Sequence, residues 1–146
     1  MHFIMTLSLR GWLSCLAVAA LATAGLPLPA SAYDLQYRQN NTNFSAADLR
    51  RIFNSGLPTS YDRVFLEQQW TTYLLLDSHP DKGQVAITLG LSPRLGASRA
   101  LLPVATYSVI EPIPGTTQQW QRLLSALANA YANSVLSNSG RLLNQR

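Results

Sequence analysis

The chain has 146 residues, 47% of them hydrophobic, a formal net charge of +4 and one cysteine. That length fits one domain with a modest core, and a lone cysteine excludes an intrachain disulfide framework or a multi-thiolate metal site. The basic residues are nearly all arginine and are scattered, without the basic run or stripe that a nucleic-acid footprint needs, so no nucleic-acid partner is expected.

Residues 1–32 read as a cleavable signal peptide. Arg10 is the only charge of the n-region, Gly11 to Leu26 is a weakly polar to apolar run, and Pro27 and Pro29 break it. Ala30-Ser31-Ala32 then supplies the small-x-small cleavage pattern. Cleavage is expected after Ala32, leaving Tyr33 first and removing Cys15. The run falls short of the about 20 apolar residues of a permanent span, so membrane contact is expected only during export. Cys15 precedes most of the apolar core, which argues against a lipoprotein box. The expected location is periplasmic or extracellular, and the arginine-for-lysine bias suggests a bacterial source.

Residues 33–44, YDLQYRQNNTNF, read as a polar N-terminal arm. Asn40-Asn41-Thr42 and Asn43-Phe44-Ser45 match the N-glycosylation acceptor, a short motif that matters only in a eukaryotic secretory pathway. A single domain is expected over 45–138. It starts with a helix at 46–55, capped by Ser45, with Leu49, Ile52 and Phe53 on one face. Gly56 stands where a left-handed cap is wanted, with Pro58 after it.

Residues 60–69 fit helix or strand. A strand is expected by Trp70, with a start as early as Val64, because Thr71, Thr72 and Tyr73 favour β structure. After DSHPDKG, Val85, Ile87 and Leu89 alternate as a half-buried strand does. A third strand lies within ALLPVATYSVIEP, with Val104, Thr106, Ser108 and Ile110 on one face and Pro103 near its start. Thr116 and Gln119 form a capping-box pattern. The helix that follows carries Trp120, Leu123, Leu124, Leu127, Tyr131, Val135 and Leu136 at helical spacing. Asn138-Ser139-Gly140 stops it, and 139–146 reads as a short polar tail. The expected fold is α+β: an N-terminal helix, a three-stranded antiparallel sheet, and a long C-terminal amphipathic helix packed on the sheet.

Chemistry-bearing residues are few. Asp77, His79 and Asp81 are spaced by two, and one histidine with two carboxylates is the weak metal candidate. An EF-hand loop is excluded, because Gly83 falls at its seventh position and Thr88 where the glutamate belongs. A serine hydrolase would need His79 as its base beside Ser78, without a Gly-x-Ser-x-Gly elbow. His79-Pro80-Asp81-Lys82 is identical to the loop signature of J-domain co-chaperones. Yet no Lys or Arg lies between Val64 and Asp81, and the run after the loop alternates like a strand. Both features depart from that family, whose flanks are helical and basic on the side before the loop. The segment reads best as a hairpin connection, with Pro80 fixing one dihedral and Gly83 permitting a left-handed exit.

No catalytic residue and no cofactor are therefore expected. The sequence supports an exported, non-catalytic domain that binds a protein or polymer partner of the cell envelope or its surroundings. The alternatives are a small metal-dependent or hydrolytic enzyme built on Asp77, His79 and Asp81, and membrane-surface association through a retained leader or the C-terminal helix.

Overall fold

A computed structural model describes residues 33–96 and 100–144. The expected leader 1–32, with the cleavage residues Ala30 and Ala32, lies outside the described residues. The elements are β1 (Asp34–Asn40), α1 (Ala46–Gly56), α2 (Thr59–Val64), β2 (Trp70–His79), β3 (Gln84–Pro93), β4 (Ala105–Pro112), α3 (Thr117–Ser137) and α4 (Ser139–Leu143), with a 3-10 turn at Pro80–Lys82.

The class is α+β, but the sheet has four strands in the order β1-β2-β3-β4. The segment expected as a polar arm supplies the additional strand. β1 runs parallel to β2, from Asp34 opposite Thr71 to Asn40 opposite Asp77, while β2, β3 and β4 are antiparallel. Its composition hides it, because an edge strand needs only one apolar face. Leu35 is buried on that face, and Gln39 serves the turn: its side-chain amide donates to Phe44 O and its carbonyl oxygen accepts from Phe44 N and Thr42 Oγ1. Parallel neighbours need a crossover, and α1 and α2 provide it.

The α1 helix starts as expected. Ser45 Oγ accepts from Asp48 N at 3.1 Å and donates to Asp48 Oδ2 at 2.6 Å; the second bond, helped by Arg51 at 2.9 Å, holds the Asp48 carboxyl below its ordinary range. Gly56 is not the left-handed cap that the sequence suggests. It is the last helical residue, and Leu57 follows in extended backbone. Glycine is needed there because a Cβ would overlap the Ser125 carbonyl oxygen and crowd Ala128 of α3. The ambiguous 60–69 run divides into α2 and a turn in which Trp70 N donates to Leu66 O. The strand therefore starts at Trp70, not Val64. Burial decides the point: Tyr61 is wholly enclosed, against Phe65, Tyr33 and Tyr131.

The β2–β3 hairpin closes through the 3-10 turn and Gly83, whose φ of 63° is the left-handed exit. β4 begins at Ala105. Val104 N also reaches Leu91 O at 2.9 Å, although Leu91 is already opposite Ala105. Two residues facing one make a β-bulge. Val104 consequently packs against the core instead of sharing the face of Thr106, Ser108 and Ile110.

On the long helix α3, Thr116 Oγ1 accepts from Gln119 N, and Gln119 Oε1 accepts from Thr116 N, completing the capping box. Its buried stripe is Leu124, Leu127, Ala128, Tyr131, Ala132 and Val135. The expected polar tail is corrected in part: residues 139–143 form α4, and Leu142 is buried in the core. Enclosing one leucine stabilises by about 1.5–3 kcal/mol, enough to dock a single turn.

The main core lies between the helices and one sheet face, made by Leu35, Leu74, Leu76, Val85, Ile87, Leu89 and Leu91. It also encloses three hydroxyls. Tyr61 OH meets Thr72 Oγ1 at 2.6 Å and Tyr131 OH at 3.0 Å. Burial pushes the Tyr61 phenol up to about 12, and burial raises Tyr131 as well.

Candidate functional site

Side chains alternate along a strand, so the residues between those core positions point to the opposite sheet face. The register sets them in rows. Arg38, Leu75, Thr88 and Ser108 lie side by side, as do Asn40, Asp77, Ala86 and Ile110. No described helix covers this half of the face. Ile110 is 69% exposed and Leu75 41% exposed, and Thr88 Oγ1 and Ser108 Oγ hydrogen-bond at 2.9 Å.

One end of the face is bordered by the chain that follows β3. Arg94 N donates to Gln69 O, its guanidinium donates to Glu67 O, and Leu102 N donates to Ser92 Oγ, each at 2.8 Å. Tyr73, on the same face, is buried. Its ring lies on Gly90, where a Cβ would collide with it, and burial raises its phenol pKa. Beside it, Thr71 Oγ1 donates to Asp34 Oδ2 at 2.8 Å. A cleft of about 520 Å³ opens here, lined by Asp34, Gln36, Thr71, Arg94 and Leu101 among others.

The other end holds the residues that the sequence singles out. His79 Nε2 lies 3.2 Å from Asp77 Oδ2, and Asn40 Nδ2 donates to Asp77 Oδ1 at 2.9 Å. His79 and Asp77 are each roughly half exposed. Asp81 does not join them: it sits in the 3-10 turn beyond the strand. Among the described residues, no three His, Cys, Asp or Glu side chains gather to hold a metal ion. Ser78 is buried, because alternation turns it to the core side, away from His79. A Ser78–His79 nucleophile and base pair is therefore not formed. His79 and Asp77 are in hydrogen-bonding reach, but Ser78 does not stand beside them as a nucleophile.

The exposed patch that Leu75 and Ile110 form on adjacent rows escapes the sequence reading. Ile110 stands in a stripe with Thr106 and Ser108, an aliphatic residue on an otherwise polar face, and that is the available signal. Asp34, Thr71 and Tyr73 give none, because their meeting depends on the β1–β2 register. No described helix is long and apolar enough to cross a membrane. Comparison with protein-family models, with curated proteins and with solved structures finds no match for this chain.

Proposed function

We propose that the chain is an exported, non-catalytic binding domain whose uncovered sheet face docks a protein of the cell envelope or its surroundings. The observation that carries this reading is the asymmetry of the sheet. All the described helices pack on one side, and the other presents exposed Leu75 and Ile110 among hydroxyl, amide and charged side chains. A mixed apolar and polar face of this kind suits a wet, moderately sized protein contact. The export element rests on the sequence of residues 1–32 alone.

The enzyme reading on Asp77, His79 and Asp81 has less support, since Asp81 stands apart and Ser78 faces the core. The test is a photo-reactive amino acid at Leu75, irradiated in the producing cells, with intact mass measured on the recovered protein. The expected result is one defined protein adduct on a chain that begins at Tyr33, with His79→Ala leaving the adduct unchanged. Adducts to a glycan polymer, or none above background, would overturn the protein-partner reading. A mass including residues 1–32 would overturn cleavage.

A further inference from the structure

We infer that the outer edge of β4 is a pairing surface for a second copy of this chain, joining two sheets antiparallel across a twofold axis at Ser108. The inference concerns the sheet edge; Ile110 borders both the edge and the open face, and Leu75 stays clear of the edge.

β4 is the last strand of the sheet, and no described strand pairs with its outer side. Its backbone orientation follows from two bonds at its ends. Ile113 N donates to Gly83 O, and the bulge places Val104 N and Ala105 opposite Leu91. Antiparallel bonding alternates, so Tyr107, Val109 and Glu111 bond inward to β3. Thr106, Ser108 and Ile110 then direct their N–H and C=O groups outward. Pro112, which has no N–H, falls on the same outward set, where proline is tolerated.

Natural edge strands are usually blunted by charge, brevity, proline or a bulge. On β4 the bulge at Val104 and Ala105 stands at one end and Pro112 at the other, outside Thr106 to Ile110. β1, the opposite edge, carries Asp34 and Arg38. β4 has a single charge, Glu111, close to one end, and β-branched or aromatic residues through its middle. It is a usable template for a further strand.

The register identifies the occupant. Centring the axis on Ser108 sets Ser108 against its own copy and Thr106 against Ile110, so all three outward residues both donate and accept. Centring it on Val109 would oppose Thr106 to Pro112 and lose a donor. In the Ser108 register, Glu111 lies opposite Ala105, which keeps the two glutamates at opposite ends. On the helix side, half-buried Tyr107 meets Val109. On the open side, Ile110, the most exposed large apolar residue described, is covered by Thr106 of the second copy. The strand complements itself, as an isologous interface requires.

The test combines sedimentation of the purified full chain over a range of concentrations with amide exchange followed by NMR. A concentration-dependent dimer is expected. Ser108→Lys should weaken it by about tenfold or more, since like charges directly opposite each other repel. The amides of Thr106, Ser108 and Ile110 should slow as concentration rises, while those of Tyr107 and Val109 stay protected throughout. A monomer at every concentration, a dimer indifferent to Ser108→Lys, or outer amides that exchange equally fast in dilute and concentrated samples would overturn the proposal. Circular dichroism reports whether Ser108→Lys folds; if it does not, the wild-type amide exchange alone decides.

Discussion

Tyr61 and Thr72 share a hydroxyl hydrogen bond of 2.6 Å inside the core, and Tyr131 meets the same Tyr61 oxygen at 3.0 Å. One hydroxyl thus serves two others, tying α2 to β2 and to α3. Tyr61→Phe removes the shared group and leaves both neighbours short of a partner. Its expected cost is about 1–3 kcal/mol, the penalty of poorly satisfied buried hydroxyls. Thr72→Val and Tyr131→Phe each remove one contact and should cost less. Urea denaturation of the three variants checks the order; a Tyr61→Phe variant as stable as the parent would refute the bridging role.

The same hydroxyls make the fold sensitive to alkali. Burial raises the Tyr61 phenol to about 12 and raises Tyr131 and Tyr33 too. The folded state therefore holds these protons after the unfolded chain has released them. The stabilisation is complete below the unfolded tyrosine value of about 10 and is lost as pH rises through the folded value. For Tyr61 alone the loss amounts to roughly 3 kcal/mol. Urea midpoints measured from pH 9 upward should fall steeply above pH 10. A flat profile to pH 12 would contradict the assignment.

At Gly56, α1 approaches α3 too closely for a side chain. A Cβ there would overlap Ser125 O and stand 3.0 Å from Ala128 Cβ, and neither neighbour is the tip of a flexible side chain. Gly56→Ala should push the helices apart and cost about 1–3 kcal/mol. Gly140→Ala is the control. It lies in α4 with nothing within 4 Å of its added Cβ, so it should be neutral or stabilise by up to about 1 kcal/mol. Equal melting-temperature changes for the two variants would remove the close-approach argument.

Local signals were readable from the chain, and long-range ones were not. Ser45 with Asp48, Thr116 with Gln119, and Pro80 with Gly83 act within a few residues, and each forms the cap or turn that its spacing implies. β1 was missed because its partner strand is remote, Asn40 reaching Asp77 across 37 positions. Gly56 was misassigned for the same reason: its constraint comes from Ser125, not from its own helix end. The pairing of Asp77 with His79 was legible from a spacing of two on a strand. The exposure of Leu75 and Ile110 was not, since it depends on which sheet face the helices choose.

The last prediction concerns Tyr73 and Gly90, neighbours across the β2–β3 register. The tyrosine ring lies on the glycine and is 4% exposed. A Cβ at Gly90 would strike the ring, so Gly90→Ala must displace the ring or the strand beneath it. The expected cost is about 1–3 kcal/mol. The displaced phenol should regain solvent and titrate nearer its ordinary value, since burial is what raises it. Tyr73→Val removes the obstacle. In that background the same Gly90→Ala change should cost less, giving an interaction energy of about 0.5–3 kcal/mol in a double-mutant cycle. Additive costs within about 0.5 kcal/mol would show that the two positions act independently. The ring would then not be what requires glycine at residue 90. Coupling together with a lowered phenol titration would identify the Tyr73–Gly90 stack as the contact that requires glycine at residue 90 and keeps the phenol buried.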